Sequence, residues 1–102
     1  MLLRRPPRYS VQLPVSLTWN ATAEGTAHNL SERGCLIQSN ARVAEGDYFT
    51  LTFGLRREDQ PLMVRLAAVR WTKGGAFGTE FLLWDPEEQE RLRRYLATCW
   101  IC

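Results

Sequence analysis

Three arginines near the amino terminus carry the first chemistry that the sequence offers. They lie in the segment Arg4-Arg5-Pro6-Pro7-Arg8, with two prolines among them. A guanidinium group can form two parallel hydrogen bonds to a phosphate or to a guanine edge, and it can stack on flat rings. The prolines fix the backbone and withhold two N–H groups, so we expect residues 1–8 to form an extended, mobile arm that binds an anion. A solubilising basic tail or a nonspecific nucleic-acid arm would have the same composition.

A polar loop between two predicted strands offers the second piece of chemistry. Its sequence is Asn29-Leu30-Ser31-Glu32-Arg33-Gly34. Asn29 carries both a donor and an acceptor, as is needed to read a base edge, and the Ser31 hydroxyl can bind a phosphate oxygen or cap the turn. We expect Gly34 at positive φ, where it reverses the chain and lets a ligand approach closely. A polar β-turn with an Asx-type contact to its own backbone would need no ligand.

Patterns for catalysis or metal binding are scarce in this sequence. His28 is its only histidine, and no G-x-S-x-G, Walker A or H-E-x-x-H motif occurs. A zinc site usually needs four ligands, and the pair Cys99 and Cys102 could be completed only by Cys35 and His28. We therefore expect a protein that is not an enzyme and has no metal site and no cofactor, with Cys99 and Cys102 as thiols at a helix end.

Composition narrows the class of protein further. The chain has 102 residues, of which 45% are hydrophobic and 24% charged, as is typical of one globular domain. A net charge of +2 does not indicate a general nucleic-acid binder. Lys73 is the single lysine, an arginine bias that a GC-rich genome would also produce. No apolar run reaches the roughly 20 residues of a membrane helix, and no signal peptide is evident. We expect a cytoplasmic protein without a membrane span.

The spacing of apolar residues predicts six strands. Strict alternation runs from Tyr9 to Trp19 and predicts a long first strand, with Pro14 at a sheet edge or a bulge. Lys73-Gly74-Gly75 is a tight turn signal. The remaining strands are predicted near residues 25–29, 35–38, 48–55, 62–72 and 76–83.

The last part of the chain changes to the period of a helix. Asp85 is a favourable N-cap, Pro86 suits the first turn and Glu88 completes a capping box. Acidic residues come early and arginines late, which also favours i,i+4 ion pairs. A helix over residues 85–99 would bury one apolar stripe, formed by Leu92, Tyr95, Leu96 and Cys99. Short strands with one such helix indicate an all-β barrel or sandwich whose open side the helix covers.

Together, the two polar segments resemble the ligand motif of the PilZ domain family. That motif is R-x-x-x-R followed about 20–30 residues later by [D/N]-x-S-x-x-G. Both halves are complete here, at Arg4–Arg8 and Asn29–Gly34. The resemblance extends over nearly the whole chain. Further matching segments are Leu13-Pro14-Val15, Gly34-Cys35-Leu36-Ile37, Phe77-Gly78-Thr79-Glu80-Phe81 and the acidic start of the helix.

The resemblance implies a fold and a ligand. The family fold is a six-stranded antiparallel β-barrel with one C-terminal α-helix, which residues 9–102 would form as a single domain behind the arm. The family ligand is cyclic di-GMP, a bacterial second messenger with two phosphates and two guanines. Arginine suits both of these groups, because guanine O6 and N7 are a favoured bidentate target.

Five residues can be carried over from the motif. The resemblance implies that Arg4 and Arg8 contact guanine edges and phosphates. It also implies that Asn29 and Ser31 contact guanine and the ring phosphates, while Gly34 shapes the loop. Asn29 stands where aspartate is commoner, so a charge-assisted acceptor for guanine N–H groups is lost.

Two further residues are candidates for the same site. Arg5 lies inside the arginine triplet and would add a phosphate or a stacking contact. Trp71, near the end of the fifth strand, would lie under a base, as an aromatic does in some family members. A simple core tryptophan is the alternative for Trp71.

A non-catalytic effector of cyclic di-GMP is the leading hypothesis. The ligand would order the arm, and the changed surface would recruit a partner protein. One alternative is a PilZ-like adaptor that binds proteins without nucleotide. Another is a barrel that binds single-stranded nucleic acid. The low net charge and the expected inward direction of Trp19, Phe49 and Phe53 count against a nucleic-acid polymer. The sequence is compatible with a monomer and with a homodimer.

Overall fold

Six antiparallel strands close into a barrel and are followed by one helix. The computed structural model describes residues 6–99. Around the barrel, the strand order is β1-β2-β3-β6-β5-β4, and β1 pairs with β4 to close it. The elements are β1 Leu13–Thr18, β2 Thr22–His28, β3 Gly34–Ser39, β4 Tyr48–Phe53, β5 Leu62–Lys73, β6 Ala76–Leu83 and α1 Pro86–Leu96. The predicted barrel with a C-terminal helix is confirmed.

Apolar side chains from all six strands fill the barrel. Leu17 of β1 is fully buried, as the alternation predicts. The rings of Phe49 and Phe77 meet edge to face with their centroids 6.1 Å apart, an arrangement that contributes about 0.5–1.5 kcal/mol beyond burial. Helix α1 lies against β5 and buries Leu92 and Leu96. Two of the four residues predicted to form the apolar stripe of the helix are therefore confirmed as buried.

The first strand is shorter than the alternation predicts. Continuous pairing of β1 with β2 begins at Leu13, opposite Ala27. Before it comes an isolated antiparallel bridge between Tyr9 and Leu30. Three residues separate Tyr9 from Leu13, but only two separate Ala27 from Leu30. Because the two lengths differ by one residue, a regular ladder cannot span this stretch.

Two expectations for the first strand are wrong. Pro14 does not lie at an edge, since β1 has β2 on one side and β4 on the other. Its carbonyl oxygen accepts a hydrogen bond from the N–H of Gly54, 2.9 Å away on the β4 side. The β1–β4 ladder begins only at Val15, so the proline nitrogen removes no ladder bond. Trp19 does not point inward and is 45% exposed, because β1 ends one residue before it.

Helix α1 begins where it is predicted but ends at Leu96, three residues earlier than expected, and its predicted capping side chains bind the barrel instead. Asp85 occupies the N-cap position without a side-chain cap hydrogen bond. Its carboxylate accepts two hydrogen bonds from Arg65, at 3.0 and 3.2 Å. The Glu88 carboxylate accepts a bond from the N–H of Met63 at 3.0 Å, and the ion pairs along the helix are i,i+3 rather than i,i+4. Within residues 6–99, no helix is long and apolar enough to cross a membrane.

Candidate functional site

The amino-terminal segment is tied to the polar loop by one antiparallel bridge. The N–H of Tyr9 donates to the carbonyl oxygen of Leu30 at 2.8 Å, and the N–H of Leu30 donates back at 3.0 Å. In this register Arg8 lies opposite Ser31, and Ser10 lies opposite Asn29. Arg8 itself is exposed. The structure therefore brings the last arginine of the first motif half beside the second half. Arg4 and Arg5 lie outside the described residues.

Tyr9 was not singled out in the sequence as a site residue, although it fixes this arrangement. Its half-buried side chain packs against the barrel core. The alternation that begins at Tyr9 indicated a buried side chain, but it could not show that the backbone would pair with Leu30. Tyr9 is thus a positioning residue for Arg8.

Asn29 supplies the turn at the end of β2. Its φ is 48°, in the left-handed region that asparagine tolerates better than most residues. The side chain is half-buried. The sequence predicted such a conformation for Gly34, and that prediction is wrong, since Gly34 is not among the residues with positive φ. Asn29 bends the chain so that the loop leaves the β2 ladder toward the arm.

The glycine at position 34 is explained by close packing between two strands and not by its backbone φ. It begins β3 opposite Glu80 of β6. A Cβ atom at this position would overlap the backbone carbonyl oxygen of Thr79. Gly34 therefore permits the close approach of two strands, not a reversal of the chain. This approach holds the start of β3, and with it the end of the loop, against β6.

Ser31 is buried inside the loop, with 1% of its surface exposed. Its hydroxyl donates to the carbonyl oxygen of Gly34 at 3.3 Å and accepts from the N–H of Arg33 at 3.1 Å. The N–H of Ser31 also donates to Gly34, at 2.9 Å. These bonds form a compact turn. Ser31 therefore determines the shape of the loop through contacts that do not involve a ligand.

Replacing Ser31 by alanine is expected to lower the free energy of unfolding by about 1–2 kcal/mol. The Arg33 N–H would lose its acceptor in a part-buried position, and such losses cost about 1–3 kcal/mol. Urea unfolding followed by circular dichroism measures the change. Ser10→Ala removes the hydroxyl of an exposed serine nearby and is the matched control. A Ser31→Ala protein as stable as the parent would contradict this structural role.

The outer part of the loop is held by β6 and by the helix. The carbonyl oxygen of Arg33 accepts a hydrogen bond from the N–H of Phe81 at 2.7 Å. The carboxylate of Glu32 accepts a bond from Arg93 of α1 at 2.6 Å. The loop therefore contacts the arm, β6 and α1 at once, and a change in it can reach the helix directly. Neither Glu32 nor Arg93 was identified from the sequence, because the two residues lie far apart along the chain.

Trp71 lies on the outer surface of the barrel and is 47% exposed, so it is not a core residue. It pairs with Gly78 of β6, and a Cβ atom on Gly78 would overlap the indole ring. Along the same row, Gly78 pairs with Leu36 of β3, and Leu36 pairs with His28 of β2. Three strand spacings, about 14 Å, separate Trp71 from His28, the neighbour of Asn29. The indole and the loop thus lie on one continuous outer face.

Cys35, directly after the loop, carries an inert thiol. Burial raises its pKa to about 12, although a hydrogen bond with Thr79 and the positive charge of Arg8 oppose the rise. The Sγ of Cys35 lies 3.5 Å from the Thr79 hydroxyl. The influence of Arg8 on this pKa is a second sign that the guanidinium lies close to the loop. Such a thiol is protonated at neutral pH and has little nucleophilic character.

At pH 8, Cys35 is expected to react extremely slowly with an aromatic disulfide reagent in the folded protein. A pKa of about 12 instead of 9.0 lowers the thiolate fraction about 1,000-fold. Because the folded pKa lies above the unfolded value, the protonated thiol stabilises the fold below pH 9. This contribution is lost as the pH rises toward 12. The double variant Cys99→Ser/Cys102→Ser isolates the reaction, and denaturant should restore it. Rapid labelling of the folded variant would contradict the burial.

The described residues contain no arrangement for a metal ion. Between residues 6 and 99, no group of three or more His, Cys, Asp or Glu side chains could hold one. The groups at the loop are instead a guanidinium and an amide, and an indole lies further along the same outer face. These groups are suited to an anion with flat rings.

Comparisons with known proteins point to one family. The family model described as PilZ domain matches residues 2–98, whereas no curated protein gives a significant match. Among solved structures, the Bacillus subtilis inhibitor of motility MotI/DgrA is similar, with a TM-score of 0.74 and 17% sequence identity. The match covers 96% of this chain and 54% of MotI/DgrA. The PilZ domain of CeSA from a cellulose-synthesizing bacterium gives a TM-score of 0.66 and 15% identity over 85% and 91%. This chain thus spans about half of MotI/DgrA, and both likenesses show a shared fold.

Proposed function

Because the chain belongs to the PilZ domain family, we propose that it binds cyclic di-GMP and acts as a non-catalytic effector of this second messenger. The ligand lies on the outer face of the barrel between the arm, the 29–34 loop and Trp71. Arg4, Arg5 and Arg8 close over it from the amino-terminal side. Cytoplasmic location, as expected from the sequence, is part of the same proposal.

The observation that carries the proposal is the bridge between Tyr9 and Leu30. It brings Arg8 to the loop without any rearrangement of the barrel. An exposed arginine held beside Asn29 and Ser31 is poised to form charge-assisted hydrogen bonds with a phosphate or a guanine edge. The buried hydroxyl of Ser31 acts by shaping the loop, and Asn29 offers its amide to the base.

Trp71 supports the binding of a flat ring on the same face. Its indole rests on Gly78, where the lack of a side chain lets the ring lie close to the strand. Stacking of a base on such a ring contributes about 1–3 kcal/mol. A guanine placed on Trp71 leaves the other end of the ligand toward His28 and the arm.

The way the loop is anchored supports the effector role. Glu32 connects the loop to Arg93 of α1, so ligand contacts in the loop alter the surface presented by the helix. Ordering of the arm over the ligand adds a second new surface. A partner protein recognises these surfaces in the bound state.

Calorimetric titration of the 102-residue protein with cyclic di-GMP tests the proposal. We expect saturable binding at micromolar ligand, and much weaker binding of cyclic di-AMP, whose adenines lack the O6 acceptor that arginine recognises. Equal binding of both dinucleotides would overturn guanine recognition at this site. Absence of saturable binding would overturn the proposal and leave a nucleotide-independent adaptor as the function.

A further inference from the structure

A second cationic site lies on the other side of the amino-terminal segment. A cleft of about 670 Å³ separates this segment from the loop between β4 and β5 and from the end of α1. Its polar lining comes from Ser10, Gln12, His28, Arg56, Arg57, Tyr95 and Thr98. It does not contain Arg8, Ser31 or Trp71, the residues assigned to cyclic di-GMP. His28 marks the border between the two regions.

The arginines of this cleft are not neutralised by neighbouring carboxylates. Among residues 6–99, neither Arg56, Arg57 nor Arg94 forms a salt bridge. Glu58 of the same loop pairs with Arg91 at 2.8 Å. Asp59, also in this loop, forms no salt bridge within the same range. These three arginines are exposed, and none of their guanidinium groups is paired with a carboxylate of the described residues.

These arginines share one concave surface. Arg56 and Arg57 line the cleft and also the adjoining depression of about 280 Å³. Arg94 joins them in the depression, together with the paired side chains of Glu58 and Arg91. Arg57 has a φ of 69°, a strained conformation for a residue with a side chain. Like charges brought together in a concavity raise the local positive potential and attract anions.

The walls of the cleft are held in place by hydrogen bonds. Burial raises the pKa of the Tyr95 phenol, so its hydroxyl stays protonated. The backbone of Arg56 lies near this phenol and opposes the rise in its pKa. The Thr98 hydroxyl donates to the carbonyl oxygen of Tyr95 at 2.7 Å, which fixes the end of the helix. The loop and the helix thus form a preorganised wall, which lowers the entropy lost when an anion binds.

We propose that this cleft and the adjoining depression together form a second binding site, specific for a phosphate-bearing small molecule, in which Arg56 and Arg57 line both hollows and Arg94 lines the depression. Guanidinium groups form bidentate, charge-assisted hydrogen bonds with phosphate oxygens, and three of them suit adjacent phosphoryl groups. Ser10 and His28 lie next to Tyr9 and Asn29 in the chain, so an anion bound here touches both segments that position Arg8. The proposal does not rest on the binding of cyclic di-GMP.

Calorimetric titration of the full chain with inorganic pyrophosphate tests this site. We expect saturable binding that weakens about tenfold in each of Arg57→Gln and Arg94→Gln, since each change removes one charge-assisted contact. The matched control is Arg42→Gln, which changes an exposed arginine near Trp19, at the far end of the barrel. The control should bind pyrophosphate as the parent does.

Three results would overturn the proposal. They are the absence of saturable binding, an equal loss in Arg42→Gln and Arg57→Gln, and tighter binding of a hexaglutamate peptide than of pyrophosphate. The second result would indicate diffuse attraction to net charge, and the third would indicate a docking surface for an acidic protein segment. None of these results bears on cyclic di-GMP, because that site is tested by Arg8→Ala with a different ligand.

Discussion

Replacing Arg8 by alanine is expected to weaken cyclic di-GMP binding about 10- to 100-fold. Hydrogen bonds to charged groups contribute about 1.5–3 kcal/mol, and each 1.4 kcal/mol corresponds to about a tenfold change in affinity. Arg8 is exposed and takes part in no salt bridge between residues 6 and 99. The change should therefore leave the barrel intact, and calorimetry measures a loss of affinity alone.

The control for this experiment is Arg42→Ala, another exposed arginine without a salt bridge in the described range. It should bind cyclic di-GMP as the parent does, and both variants should unfold at the parent's temperature. The affinity should also fall as salt increases, less steeply in Arg8→Ala than in the parent, since one phosphate contact is gone. Unchanged affinity in Arg8→Ala would contradict the assignment of this residue to the ligand.

Replacing Gly34 by alanine is expected to lower the free energy of unfolding by about 3 kcal/mol, at the upper end of the usual cost of overpacking. The added methyl group would collide with the carbonyl oxygen of Thr79, which belongs to a paired strand and cannot turn aside. For a domain of this size the melting temperature should fall by about 12–24 °C. Thermal unfolding followed by circular dichroism measures the change.

Gly46→Ala separates this steric effect from backbone strain. Gly46 has a φ of 94°, and a Cβ atom there would meet nothing within 4 Å. Its substitution carries only the cost of an unfavourable φ, about 1–3 kcal/mol. If Gly34→Ala is as stable as the parent, the close approach of β3 and β6 is not what requires the glycine.

Local patterns in the sequence were sufficient for most of the barrel. The predicted strand over residues 76–83 coincides with β6. The predicted tight turn before it is formed by Gly74 and Gly75, both with positive φ. The motif halves could also be recognised, because each is a short run of neighbouring residues. Their contact through Tyr9 and Leu30 depends on backbone pairing, which side-chain patterns do not report.

The predictions that failed depend on residues distant along the chain. Asp85 looks like a helix cap, but Arg65 of β5 binds its carboxylate, 20 residues away. Gly34 looks like a turn glycine, but the carbonyl oxygen of Thr79 on another strand is what excludes a side chain there. In each case a local preference gives way to a contact that exists only after the barrel has closed.

The pairing of β1 with β4 also limits how another protein can recognise this one. A sheet with an open edge can accept an additional strand from a partner, whose backbone then supplies most of the affinity with little regard to its sequence. In the described chain, the ladder runs around the whole barrel, so strand donation of this kind has no free edge to use. The specificity with which another protein binds the barrel must therefore come from side-chain contacts and from the shape of the outer surface. Single substitutions on the outer face should consequently be enough to change which proteins can bind there.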